Sequence, residues 1–468
     1  MSAYRPGFRL AAVLLMLFPV LPKTALADGW QHHATTVVQG HDSDASPIDP
    51  PPVPLSIGAS SQPDNMNGGS LEAKRDLIRA IERAETQNPA IQAALSELDS
   101  RRTDIDIARY GYWPEVSVSA GPEEFPFSDP GYNVTARQTL YDWGRTDSEV
   151  ASARASERSQ LSALLIAREE SALDVIRAWS AIVTARQQIK ATRTWIEQLE
   201  ALEELTSQRA KTGYADISEG SRVRLDTSEA RDQLHRQRGA LQEATRQYNI
   251  LVGDTSDVRP LPAPRLLTEQ LGDSDILEEE IRQAPLYQQQ IAEVDIARAT
   301  LDNARASTLP QINLEGTTQR RQIGGRMETD NVIGFRVRMD TLQGLATFRQ
   351  PDAARQQLEA ARWEVDATRR DVERTVATLI NDARLYHTRA DALLQQFRDA
   401  RQLSELYREQ FSVGARDITD LLNIYRQQAN ARQQYLEIEG ERQLVQYRGA
   451  AQLGMLGELL APATQEPS

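Results

Sequence analysis

The sequence predicts an α+β chain that is mostly α, in which long coiled-coil helices and four short β-strands form two copies of one unit. Three observations predict it. No proline occurs from Gly131 to Arg259, or from Asp352 to Ala461. Four short segments alternate apolar and polar residues with the period of two that marks a half-buried strand. Landmarks of the first half recur in the second: Gly213-Tyr-Ala-Asp216-Ile217 matches Gly414-Ala-Arg-Asp417-Ile418 at an offset of 201 residues, and Gly253 matches Gly454 at the same offset. Tyr112-Trp-Pro114-Glu-Val-Ser-Val likewise matches Thr308-Leu-Pro310-Gln-Ile-Asn-Leu. A repeat of that length is two copies of a large supersecondary unit.

The N-terminus reads as an export signal. Arg5 and Arg9 precede an apolar core from Leu10 to Leu21, and Ala25-Leu26-Ala27 is an A-x-A cleavage site, so residues 1–27 are expected to be a signal peptide. The apolar core is shorter than the ~20 residues a spanning helix needs. Residues 28–70, rich in Ser, Pro, Asp and Gly, are expected to form a disordered tail.

Repeat 1 is expected over 71–253. It opens with a helix from Leu71 to Arg109, supported by Leu77, Ile81, Ala84 and Ile91 and interrupted at Asn88-Pro89. Strands near 114–121 and 131–141 follow: Val116, Val118 and Ala120 alternate with polar residues, as do Tyr132, Val134, Ala136 and Leu140. A long helix is expected over 143–212 and a second over 216–253. In the long helix Leu161, Leu165, Ala172, Ile176, Trp179, Val183, Ile189, Ile196 and Leu199 form a narrow apolar stripe with coiled-coil spacing. A Pro-rich linker, 254–274, leads to repeat 2, expected over 275–460, with a helix over Ile276 to Ala306 interrupted at Ala284-Pro285. Strands follow near 310–318 and 331–340, joined by a turn over Gln322 to Asp330, then a long helix 344–412 and a helix 417–458; 461–468 is a C-terminal tail. Apolar residues on one strand face and polar ones on the other suit a membrane barrel with a wet lumen as well as an ordinary half-buried sheet.

Composition excludes several functions. The net charge of −14 argues against a nucleic-acid partner. The chain has no cysteine, which removes disulfides, zinc–thiolate sites and thiol nucleophiles. His32, His33, His41, His235 and His387 form no metal-site spacing with a carboxylate, and no phosphate-binding loop or nucleophile elbow occurs. No enzyme activity, cofactor or metal is expected. No segment past the N-terminus is apolar enough to span a bilayer as a helix, so membrane insertion requires a closed barrel. Four strands are too few to close one alone, since the smallest single-chain barrels need about eight.

In this order the motifs resemble the TolC-like outer-membrane efflux protein family, from Leu71 to Leu460. The resemblance rests on the duplicated helix–strand–strand–helix–helix order, Asn88-Pro89, Pro114 and Pro310 before the first strands, Leu140-Tyr-Asp-Trp-Gly144 before the long helix, and Val413-Gly-Ala-Arg-Asp-Ile-Thr-Asp-Leu-Leu422. It implies a homotrimer in which three chains share a twelve-stranded β-barrel in the outer-membrane lipid, continued by a coiled-coil α-barrel in the periplasm. It also implies a periplasmic adaptor and an inner-membrane transporter as partners. The family's gate maps to Asp420 and Asn423 as pore rings, to Arg416, Phe411, Ser218 and Glu219 as an inter-helix latch, and to the tips at Gly213 and Gly414 as adaptor-docking points. Asn423 lacks the charge of a second aspartate ring, and Phe411 stands where the family often has tyrosine. On the residues alone, Asp417 and Asp420 also suit the start of a helix, where acidic side chains cap free N–H groups. The absence of a cysteine for N-terminal lipidation and the Leu140 to Arg145 segment favour type I protein secretion. Multidrug efflux is the alternative, and a periplasmic coiled-coil scaffold or adaptor without a pore is the alternative of another class.

Overall fold

A computed structural model describes residues 68–122, 130–211, 217–254, 258–262, 270–323, 326–339 and 345–460. All belong to one unit, Val53–Ser468. The expected signal peptide, nearly all of the 28–70 tail, Gly213 and the 461–468 tail lie outside the described residues.

The chain opens with α1 (Gly68–Gln87) and α2 (Pro89–Arg109). Pro89 sits at the start of α2, where its missing N–H is not needed, and the Asn88 side chain caps the helix by accepting from Ala90 N at 2.9 Å. Strands β1 (Glu115–Pro122) and β2 (Pro130–Tyr141) lead into α3 (Arg145–Lys211), and α4 (Ile217–Val252) returns. The same order recurs: α5 (Ser274–Gln283) and α6 (Pro285–Ala306), β3 (Gln311–Ile323) and β4 (Arg326–Arg338), then α7 (Gln350–Ser412) and α8 (Ile418–Leu453). A five-residue helix, α9 (Leu456–Leu460), follows. At ~1.5 Å per residue, the 67 residues of α3 span about 100 Å.

The strands form one antiparallel sheet in the order β1-β2-β3-β4. Register sorts its faces. Val116 opposes Ala136, Val118 opposes Val134, Leu314 opposes Phe335 and Ile312 opposes Val337, so these apolar side chains share one face. The other face carries Glu115 opposite Arg137, and Arg137 opposite Glu315. Arg137 pairs with Glu115 at 3.3 Å, and Glu315 with Arg336 at 2.8 Å. The apolar face is uncovered: Ile333 is 82% and Phe335 78% exposed.

Sequence and structure differ in several places. The described residues of the stretch read as a turn, Gln322 to Asp330, are paired strand, so β3 and β4 reach well past 318 and start well before 331. Its polar residues suit a solvated strand as readily as a loop, so polarity misled. A bulge between Thr139 and Tyr141 sets Tyr141, not Leu140, opposite Ile312. The second long helix begins at Gln350 rather than 344, because Pro351 belongs in a first turn; a 3-10 turn, Leu345–Arg349, precedes it. The last helix ends at Leu453 rather than 458, stopped by Gly454 in the left-handed region at φ 77°.

The linker is not merely a spacer. Val258 and Leu261 are buried, and backbone carbonyls of this stretch accept from Trp179 Nε1 (Arg259 O, 2.8 Å) and Tyr447 OH (Pro262 O, 2.9 Å). With α1, the ends of α4 and α8, and α9, it surrounds the middle of α3. There the apolar stripe is no longer narrow: Leu173, Val175, Ile176, Ala178, Trp179 and Ile182 are all buried. We call this level the equator. On one side of it, α2, the first half of α3, α6 and the first half of α7 run to the sheet; on the other, α3, α4, α7 and α8 run to a tip. Among the described residues no helix is long and apolar enough to cross a membrane.

Candidate functional site

The tip is where both copies turn. The turn between α3 and α4 falls on 212–216, outside the described residues; that between α7 and α8 is fully described. Gly414 has φ 77°, and Gly414 N donates to Phe411 O (3.0 Å) while Ala415 N donates to Gln410 O (2.8 Å). This is a Schellman ending, which needs a left-handed residue that glycine fills without a Cβ penalty.

The α8 helix then restarts on Asp417, whose carboxylate accepts from Thr419 N at 2.6 Å. The bonds from Thr419 hold this carboxyl below the usual carboxylate range. Asp417 is therefore the helix cap. Asp420 is not: its carboxylate is half exposed and accepts from Arg416 Nη1 at 3.0 Å. Asn423, three residues on, is also exposed, whereas Ile418, Leu421, Leu422, Ile424 and Tyr425 are buried. Asp420 and Asn423 thus share the uncovered face of α8.

The residues matched to a latch do not all meet within the chain. Arg416 engages its own hairpin: Nε donates to Gln410 Oε1 at 2.8 Å, and its guanidinium lies 3.8 Å from the Tyr407 ring centre. Ser218 and Glu219 stand at the start of α4, and one Glu219 carboxylate oxygen is shielded from solvent without a hydrogen-bond partner among the described residues. Phe411 has no hydroxyl to offer, yet it is 1% exposed and grips the other copy. Its carbonyl accepts from Arg209 Nη1 (2.5 Å), and the Arg209 guanidinium lies 4.3 Å from its ring centre.

Sequence reasoning missed the cross-copy partners. Arg426 on α8 grips Asp226 on α4 through two bonds, Nε to Oδ2 at 2.9 Å and Nη2 to Oδ1 at 3.0 Å. The Asp226 side chain is 2% exposed, that of Arg426 43%. Nearer the tip, Arg222 donates to Thr419 Oγ1. Further from it, Gln237 donates to Gln433 Oε1 (3.1 Å), and Gln433 donates to Thr192 Oγ1 (2.8 Å). The available signal was spacing: Thr419, Arg426 and Gln433 recur every seven residues on α8.

At the opposite end, Asp142 fixes the step from sheet to helix. It accepts from Gly144 N, Thr146 N and Thr146 Oγ1 at 3.1, 2.8 and 2.6 Å, while Trp143 and Gly144 both take positive φ. Trp143 Nε1 donates to Pro310 O at 2.9 Å, tying this step to the second copy. Tyr110, Tyr112, Trp113, Tyr141 and Trp143 are exposed around it. No cluster of His, Cys, Asp and Glu fit to hold a metal occurs among the described residues.

Comparison with known proteins places this geometry. The profile of the family described as Outer membrane efflux protein matches the chain twice, over residues 80–253 and 276–448. Protein CyaE of Bordetella pertussis is 21% identical over 404 residues, covering 82% of this chain and 84% of that protein. Among solved structures, the outer membrane protein VceC from Vibrio cholerae aligns with a TM-score of 0.70 at 13% identity, over 81% of this chain and 96% of that one. A membrane protein from Pseudomonas aeruginosa aligns at 0.71 and 18%, over 85% and 99%. The open state of the Neisseria gonorrhoeae MtrE outer membrane channel aligns at 0.67 and 15%, over 86% and 96%. At these identities the structures establish the fold.

Proposed function

The chain belongs to the outer membrane efflux protein family, and from that premise we propose that it is the passive, trimeric exit duct of a tripartite export system serving type I protein secretion. It is an outer-membrane channel protein that extends into the periplasm, and not an enzyme. The observation that carries the duct reading is the sheet: one face uncovered and apolar, the other charged and paired, and joined at Asp142 to a helix about 100 Å long. Three copies would supply twelve strands, close the sheet edges at β1 and β4, and place the apolar faces in lipid.

In this reading the tip is the gate. Three Asp420 carboxylates around one axis form a small anionic ring that favours cations, and three Asn423 amides form a neutral second ring. Phe411, Ser218 and Glu219 hold the hairpins in their resting arrangement, and Arg416 steadies the turn of its own hairpin. The turns at Gly213 and Gly414 meet a periplasmic adaptor, which couples the duct to an inner-membrane transporter that supplies the energy. The lack of cysteine in the sequence supports protein cargo over drugs. Deleting the gene tests the cargo: a protein lost from the culture medium with unchanged drug sensitivity is expected. Unchanged secreted proteins with increased drug sensitivity would instead establish multidrug efflux.

A further inference from the structure

We propose that the Asp226–Arg426 pair is a lock between the two copies, set back from the tip, which must break for the tip to widen. The proposal rests on the reading of the tip as a gate. Two coiled-coil hairpins approach the tip, α3 with α4 and α7 with α8, and widening there requires one hairpin to move against the other. Arg416, the latch cation implied by the family resemblance, is occupied by Gln410, Asp420 and Tyr407 of its own hairpin. Among the described residues it therefore holds nothing of the first copy. Side chains that join α4 to α8 among the described residues include Arg222 with Thr419, Asp226 with Arg426, and Gln237 with Gln433. They form a polar seam along both helices, and Asp226–Arg426 is its ion pair.

The asymmetry of that pair gives it a switch-like character. Water reaches the half-exposed guanidinium but not the carboxylate, which is 2% exposed. A small displacement of α8 would strip Asp226 of its two charge-assisted bonds while still denying it water, and an unpaired buried carboxylate is strongly unfavourable. Only a displacement large enough to hydrate Asp226 restores its balance. The seam thus resists partial opening and yields to full opening, the behaviour of a two-state element. The pull of Asp226 also raises the Arg426 pKa, so the guanidinium stays charged throughout. Glu229 adds negative charge near the pair.

The test uses the full-length protein in planar bilayers, with folding checked by gel mobility of the unheated oligomer. Arg426→Gln is expected to raise open-channel occupancy about tenfold or more, and Asp226→Arg combined with Arg426→Asp to return it toward the parent value. Because the chain has no cysteine of its own, Asp226→Cys with Arg426→Cys gives a second reading that does not depend on the charge variants folding. Cross-linked across this pair, the channel is expected to stay in its low-conductance state and to recover on reduction. A folded Arg426→Gln channel with parental occupancy, or a cross-linked channel that opens as readily as the reduced one, would overturn the lock. A parent protein that forms no channel would instead overturn the reading on which the lock rests.

Discussion

Asp417 and Asp420 lie three residues apart in one turn, and their surroundings give them different work. Asp417 accepts the Thr419 N–H and stabilises the helix start, whereas Asp420 faces outward and is held by Arg416. Asp417→Ala should lower the stability of the tip by about 1 kcal/mol, as loss of a cap does, visible as faster proteolysis at the tip. Asp420→Ala should leave that stability nearly unchanged, since an exposed i,i+4 pair contributes only about 0.3–0.5 kcal/mol, yet weaken cation preference in a reversal-potential measurement. Unchanged preference would make Asp420 a bystander. Glu169 at the equator supplies a pH-dependent case. Burial pushes its carboxyl up to about 8, beside Glu85 and the Leu456 N–H that donates to it at 3.4 Å. The folded chain therefore keeps this proton where the unfolded chain, with an ordinary value near 4.5, has lost it. Stability should fall as pH rises from about 4.5 to about 8, by at most ~1.4 kcal/mol per pH unit, and level off above. Denaturant unfolding of Glu169→Gln across that range should lack this component of the slope.

At the level of elements, period and proline were the informative signals. Alternation located the strands because each exposes its two faces to different surroundings, and Pro89, Pro285 and Pro351 mark helix starts for the local reason that their N–H is dispensable there. What local pattern could not show was partnership. The polar stretch after 318 pairs as strand only because β4 lies alongside it, and the linker packs only because Trp179 and Tyr447 reach its carbonyls. The same limit hid the seam: Asp226 reads as one more charge on a charged helix until Arg426 is brought to it from 200 residues away. Asp420 and Asn423 were named from the family resemblance, and the structure adds only that both lie on the uncovered face of one helix. The sheet makes its own prediction. Phe335→Arg places a cation on the uncovered apolar face and should cost roughly 2–4 kcal/mol of membrane stability if that residue sits near the bilayer centre. Membrane fractionation should show reduced insertion, while Thr135→Arg on the polar face should insert normally. Equal insertion of both would contradict the assignment of faces.

For the molecule as a whole, each end has a separate task. The sheet presents a lipid-compatible face, the equator packs the middle of α3 on nearly every side, and the tip joins the two copies through polar and charged bonds rather than apolar contact alone. That arrangement suits a rigid duct with one movable end. The most direct test is the single-channel conductance of the purified, folded trimer in a planar bilayer. The account predicts a resolvable channel, mostly in a low-conductance state and preferring cations. A well-folded trimer that inserts and gives no conductance under any condition would contradict it.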